Sequence, residues 1–543
     1  MSESKSRKEK NGMSAKKFFR SLLFHFLLFL RIAYDWVVDF IISFIYDDSK
    51  VKKIPPVKES FLLDSAVTLA AKIRKKEISS EEVVSAFIER IKEVNNVLNA
   101  VVDNRFEEAI QEAKDVDAFL RSTSLSVDQL EKEKPFLGVP FSNKESTAGK
   151  GLSFSFGLNS RRGVKATEDA DIVAKCKNAG AILLCATNVP ELNLWTETRN
   201  NIYGMTVNPY NTSRIVGGSS GGEASIVSAC GSPIGLGTDI GGSCRMPAFY
   251  CGIFSHKPTT GLISTKGMTF RKGEPDRTMV CAGPMVKHAE DLAPLTKILF
   301  HTETEEVAAA AKRLQLDKTV DVKDIKFYYV EEPLDPRISP VSSEVKAAIK
   351  KAVDYVSEAT GRPAVKIQLS GFRHCFTLWR YWMTKEGERF ASLLGNNERV
   401  VDVRTEFAKT LIGKSEFTFP PIMKLIDDTY MPKVPAQWAE EATEKLKAEL
   451  SEILGDDGVL IFPSAPHTAG LHYTPFFRPY NFGYWAIFNV LEVPVTQVPM
   501  GLTSKGLPVG FQVAATKFND HLTISVAKAL EQQFGGYVPP FSP

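Results

Sequence analysis

The sequence predicts an α/β protein. Amphipathic helical stretches alternate with short apolar runs: residues 170–180 place Ile172, Val173, Cys176 and Ala179 on one helix face, and 181–186 follow as an apolar strand. The second half repeats the pattern, with strand-like runs at 458–462, 493–498 and 510–514 and a closing helix at 520–534. The 543 residues, 43% hydrophobic and 24% charged, suffice for a large core, as one big domain or two smaller ones.

Residues 1–17 are polar and basic and are expected to form a disordered tail. Residues 18–46, FFRSLLFHFLLFLRIAYDWVVDFIISFIY, exceed the roughly 20 apolar residues that cross a bilayer. Arg20, His25, Arg31, Asp35 and Asp39 interrupt the run. Arg31, Asp35 and Asp39 are four apart and share one helix stripe, so two readings stand. The helix spans a membrane with Arg31 and Asp35 paired, or it lies in the interface with that stripe toward water. A cleaved signal peptide is disfavoured, because the basic flank is long and no small-residue cleavage site follows. A charged linker leads to a globular part that starts near Pro55.

Within that part, Ser79 to Glu82 reads as a capping box ahead of Val83, Phe87, Ile91 and Val94 at helical spacing. Phe106, Ala109, Ile110, Ala113, Val116 and Leu120 give a second amphipathic helix, and 121–134 a polar loop. A short apolar strand then ends at Lys144. Residues 341–359 and 438–454 are helix candidates. Residues 405–433 read as a buried helical pair, with an apolar cap at a membrane as the alternative. Cys176, Cys185, Cys230, Cys244, Cys251, Cys281 and Cys375 show no metal-ligand spacing and read as reduced and buried. The net charge of +3 does not imply nucleic acid as a partner.

The chemistry concentrates in 216–245, VGGSSGGEASIVSACGSPIGLGTDIGGSCR. Two glycine-flanked serine sites, Gly217 to Gly222 and Gly241 to Ser243, bracket a helix candidate at 223–230 and an apolar run at 233–236. Glycine lets backbone approach a ligand closely. A serine hydroxyl among free backbone N–H groups has the parts of a nucleophile and its oxyanion hole. No histidine lies in the stretch to serve as base, which directs attention upstream to Lys144.

The strand PFLGVPFSNKE, the loop VGGSSGGE, the run GLGTDIGGSCRMPAFYCGIFSHKPT and the closing PVTQVPMGL and GLPVGFQV resemble the amidase signature family. The resemblance covers roughly residues 60 to 540. It implies a single α/β domain with a mixed sheet sandwiched between helices. It also implies a Ser–Ser–Lys triad: Ser243 as nucleophile, Ser219, on a cis peptide, as proton relay, and Lys144 as base. The N–H groups of Ile240, Gly241, Gly242 and Ser243 would face the oxyanion, and Asn193 falls where the family binds substrate. Ser220, Asp239 and Arg245 are expected to support the loops, Ser220 through a backbone hydrogen bond at the start of the following helix. The hydrophobic N-terminus is most similar to the family's membrane-bound members that hydrolyse fatty-acid amides. The implied partners are a lipid amide and a membrane, an endoplasmic reticulum or lipid droplet surface among them. A homodimer is left open, and no cofactor or metal is implied.

Three rival readings remain. A phosphate-binding loop is disfavoured because Gly217 to Gly222 lacks a following Lys-Ser/Thr. A non-enzymatic scaffold is disfavoured by the presence of all three triad residues. An amidase for a non-lipid amide, or a glutamine-dependent amidotransferase subunit, would leave the hydrophobic N-terminus unexplained.

Overall fold

The apolar runs expected to be strands gather into one sheet. The structure, a computed structural model, describes residues 2–46, 51–270, 278–300, 309, 314–387 and 389–541; the side chains of 2–18, 20, 21 and 24 lie outside that description. The strands are β1 (Val101–Asn104), β2 (Pro140–Lys144), β3 (Ile182–Thr187), the short hairpin β4 (Arg199–Asn200) and β5 (Gly204–Met205), β6 (Ile234–Asp239), β7 (Phe254–Lys257) and β8 (Cys281–Val286). They continue with β9 (Lys326–Tyr329), β10 (Val365–Lys366), β11 (Gly458–Pro463), β12 (Val495–Leu502) and β13 (Pro508–Ala515). Eleven of them form one sheet in the order β1-β3-β2-β6-β8-β7-β12-β13-β11-β9-β10. The sheet is mixed, as expected. β2 runs parallel to β3 and β6, while β6–β8, β8–β7, β7–β12 and β12–β13 are antiparallel. Every residue of β3, β6, β8 and β13 is buried, which requires cover on both faces and explains why these strands read as continuous apolar runs.

The helices are α1 (Ser2–Ser43), α2 (Ala66–Arg74), α3 (Ser80–Leu98), α4 (Phe106–Ser122), α5 (Val127–Glu133), α6 (Asp171–Asn178), α7 (Gly221–Ser228) and α8 (Arg245–Tyr250); later ones are named by their residues. The Ser79 side chain caps α3 by accepting from the Glu82 N–H at 3.1 Å, and Asn99 closes the helix in the left-handed region. The reciprocal capping box lies elsewhere. Ser126 and Gln129 exchange hydrogen bonds and start α5, inside the stretch expected to be a loop. Residues 405–433 resolve into helices Val403–Leu411 and Phe419–Tyr430. Their inner faces build a satellite core of Leu158, Leu394, Val401, Val403, Phe417, Ile422 and Leu425, and Leu411, Ile412, Tyr430 and Met431 stay exposed.

The N-terminal segment departs from expectation in three respects. Its backbone is helical from Ser2, through the stretch expected to form a disordered tail. Among the described residues no helix is long and apolar enough to cross a membrane. The stripe Arg31–Asp35–Asp39 turns toward the protein, with Asp35 buried, Arg31 largely covered and Asp39 half exposed at its edge. Arg478 donates to Asp35 Oδ1 at 2.8 Å and to its carbonyl at 2.6 Å, and its Nη1 lies 2.9 Å from Asp39. Arg31 donates to Ser339 Oγ at 3.0 Å, and Val38 and Ile42 pack on Leu471. The opposite face, with Phe26, Phe29, Leu30, Trp36, Phe40 and Ile41, is exposed. The helix is docked by its polar side, the reverse of an amphipathic helix on a soluble core. Asp47, Asp48 and Lys50 of the expected linker lie outside the described residues.

Candidate active site

β2 and β6 are parallel neighbours, so their carboxyl ends open on the same side of the sheet, where ligands of such sheets bind. Lys144 is the last residue of β2, and Thr238 and Asp239 end β6. The chain leaves β6 through Ile240 to Cys244 into α8, and the Gly217 to Ser220 loop leads into α7. The two serine loops meet: the Ser220 N–H donates to the Ser243 carbonyl at 3.1 Å.

Lys144 is fully buried. Its ammonium nitrogen lies 2.7 Å from Ser219 Oγ and 2.8 Å from Thr238 Oγ1. Burial pushes its pKa down from 10.5 to about 8, against the opposing pull of Asp239 and Glu223. Glu223, on α7, is itself pushed up to about 8 by burial, although Ser142 and Thr187 donate hydroxyl hydrogen bonds to it. Gly218–Ser219 is a cis peptide. Ser243 is half-buried, and among the described residues its hydroxyl makes no hydrogen bond. The structure thus joins Lys144 to Ser219 directly and brings Ser243 alongside through backbone.

The loop from Ile240 to Cys244 is held from below. Asp239 Oδ1 accepts from the Gly242 N–H at 2.8 Å, and Oδ2 from the Cys244 N–H at 3.1 Å. The Gly242 N–H is therefore committed within the loop, against its expected place among the oxyanion donors. Arg245 clamps Asp239 through Nε and Nη2, each at 3.0 Å, and reaches Asn489 Oδ1 at 2.8 Å and Gln512 Oε1 at 2.9 Å. Burial alone would raise the Asp239 carboxyl, but the charge and hydrogen bonds of Arg245 hold it well below the usual carboxylate range. Trp379 Nε1 donates to the Ile240 carbonyl at 2.8 Å.

The glycines are required by close approach. Gly242 has φ +108°, and a Cβ there would collide with Trp485 Cβ. A Cβ on Gly218 would collide with the Trp195 carbonyl oxygen. Ser220 does not cap α7 with its side chain. Its hydroxyl instead spans 3.4 Å to the Thr238 carbonyl. Asn193 sits at φ +58° in the 3-10 turn Glu191–Asn193, and no described contact brings it to the triad; Trp195, two residues on, touches Gly218 instead. Cys244 is buried and its thiol is pushed up by burial, the state of a packing residue. Sequence reasoning missed Thr238, Glu223, Trp379, Trp485 and Asn489. Thr238 and Glu223 carried a local signal, Thr238 as the residue before Asp239 and Glu223 as the last residue of the loop VGGSSGGE.

The family model described as Amidase matches residues 82–524. Fatty-acid amide hydrolase 2 of Homo sapiens is 42% identical over 494 residues, 89% of this chain and 92% of that protein. Fatty-acid amide hydrolase 2-A of Danio rerio is 40% identical over 497 residues, 90% of this chain and 92% of that one. A solved structure described as fatty acid amide hydrolase superposes with a TM-score of 0.69 at 21% identity, over 90% of this chain and 87% of its own, which shows a common fold.

Proposed function

The chain belongs to the amidase family, whose members hydrolyse amides, and we propose that it is a membrane-attached serine hydrolase cleaving fatty-acid amides to free fatty acid and amine. The observation that carries the reading is the buried Lys144 ammonium, 2.7 Å from Ser219 Oγ and with its pKa lowered to about 8. Lysine can accept a proton only when neutral, and burial supplies that state near physiological pH. In this mechanism neutral Lys144 takes the Ser219 proton while Ser219 takes that of Ser243. Ser243 Oγ attacks the amide carbonyl, and the N–H groups of Ile240, Gly241 and Ser243 receive the oxyanion. The charged lysine then returns a proton through Ser219 to the departing amine, leaving an acyl ester on Ser243 that water hydrolyses. Asp239 and Arg245 fix the loop without touching substrate.

The lipid part of the reading is supported by the names of the most similar relatives and by the outward apolar face of α1. Attachment is to one leaflet through that face, not passage across the bilayer. The amidotransferase reading leaves this face without a purpose, and a membrane-anchored scaffold would leave Lys144, Ser219 and Ser243 without one. A fluorophosphonate probe tests the nucleophile. Ser243→Ala is expected to abolish labelling and turnover while melting at the wild-type temperature, and labelling that persists or moves to Ser220 overturns the assignment. A panel of fatty-acid amides against glutamine tests the substrate class.

A further inference from the structure

Residues 471–485 lie between α1 and the catalytic loops. On the outer side, Leu471 meets Val38 and Ile42, and the Tyr473 ring lies 5.9 Å from that of Tyr46. The Phe477 carbonyl accepts from the Tyr34 hydroxyl at 3.0 Å, and Arg478 is held by Asp35 and Asp39. On the inner side the same stretch reaches the site three times. Phe476 packs 4.8 Å from Trp195, whose carbonyl oxygen excludes a Cβ at Gly218. Phe482 packs 4.7 Å edge-on to Trp379, which holds the Ile240 carbonyl. Trp485 covers Gly242.

Arg478 is the joint between the two sides. Only 8% exposed, it spends its hydrogen bonds on α1, and it also lines a cavity of about 50 Å³ with His467, Asn481, Met246, Tyr250 and Trp485. The His467 Nε2 in that cavity has no partner among the described residues, and burial beside the Arg478 charge pushes this histidine down to about 4. It stays neutral, so Asp35 and Asp39 are the carboxylates that balance Arg478.

We infer that Arg478 is a positioning residue: clamped by Asp35 and Asp39, it sets residues 471–485 against the catalytic loops, making docked α1 a structural part of the wall that receives a long acyl chain. The inference rests on the fatty-amide reading above. In this reading a long acyl chain lies along the aromatic residues between α1 and the nucleophile loops, whereas an acetyl group reaches only Ser243. Undocking α1 therefore disturbs long-chain substrates first.

The test uses the full-length enzyme in detergent, with Asp35→Asn, Asp39→Asn and the conservative Asp35→Glu. For Asp35→Asn we expect KM for a long-chain fatty amide to rise about tenfold, while kcat/KM for the acetyl amide of the same amine changes by less than about twofold. Asp39→Asn is expected to give a smaller effect, and Asp35→Glu to restore most of the loss. Independently of turnover, amide hydrogen exchange over 471–485 should accelerate in Asp35→Asn and stay unchanged in the central sheet. Equal losses for both substrates, or unaltered exchange in this segment, overturn the inference. A wild type that hydrolyses the acetyl amide but no fatty amide refutes the lipid reading instead, and the exchange result still decides the role of Arg478. If Asp35→Asn fails to fold, Asp39→Asn carries the same two readouts, because the Asp39 side chain is half exposed.

Discussion

In the proposed mechanism Lys144 performs two opposed tasks, and burial sets the balance between them. Its pKa of about 8 makes a useful fraction neutral near pH 7 to 8, and the charged form remains acidic enough to protonate a departing amine. An amide needs that returned proton more than an ester does, because an alkoxide leaves more easily than an amide anion. Lys144→Ala should therefore slow an amide more than the ester with the same acyl chain, by a further ~10² or more. The wild-type kcat/KM should rise with pH through about 8 as Lys144 loses its proton, and this limb should be absent in the variant. Matched amide and ester profiles measure both; an acid limb retained in Lys144→Ala would name another base. Behind the loop, Asp239 and Arg245 carry a stability prediction. The Asp239 carboxyl titrates lower when folded than unfolded, so its contribution is present above the unfolded value, ~4, and is lost as pH falls through the folded one. Arg245→Met leaves that buried carboxylate unbalanced and should cost about 3–5 kcal/mol in urea denaturation near pH 7, a penalty that shrinks on acidification. The motif displayed Lys144, Ser219, Ser243, Asp239 and Arg245 in the sequence. It could not display Asn489, which contacts Asp239 from 250 residues away in an apolar helix.

Elements with strong periodicity were legible before any coordinates. The helix expected at 341–359 is Ser343–Thr360, and that at 438–454 is Ala436–Leu454, because each buries one continuous stripe. α5 was missed because Leu130 is its sole buried residue and its signal was local, a serine three residues before a glutamine. Replacing Ser126 by alanine should destabilise the protein by ~1 kcal/mol, readable as a shift in the urea midpoint. Strand existence was legible, but sheet order was not, since neighbours such as β7 and β12 are set by packing across more than two hundred residues. The loop between β6 and α8 is the element on which chemistry depends most closely. Gly242→Ala would force a Cβ into Trp485 at a φ of +108°. The loop must then shift, and with it the N–H groups beside Gly242. The second-order rate of fluorophosphonate labelling should fall by about 10²-fold or more. A variant that labels at the wild-type rate would show that Trp485 yields and the loop does not.

At the scale of the whole molecule, the proposed membrane attachment must rest on some surface of the chain. Two features compete. One is the outer face of α1, where Phe26, Phe29, Trp36, Phe40 and Phe44 are exposed and where Phe477 and Tyr480 on the domain are exposed as well. The other is the basic N-terminal stretch, with Lys5, Arg7, Lys8, Lys10, Lys16, Lys17 and Arg20. The sequence revealed both, together with the charged stripe four residues apart. It could not reveal which way the stripe faces, because Arg478 lies 443 residues from Asp35. With the stripe turned inward, the apolar face is the surface left for lipid, and burial of apolar area is indifferent to salt, whereas attraction to anionic headgroups is screened within ~3 Å at 1 M salt. The full-length protein should therefore float with vesicles of neutral phosphatidylcholine and remain with them in 1 M salt. Trp36→Glu with Phe40→Glu, which adds charge to the outer face without touching Arg478, should release it into the soluble fraction and leave acetyl-amide turnover intact. Binding that requires anionic lipid and is lost in salt would transfer the attachment to the basic stretch and leave the exposed aromatic face without a membrane role.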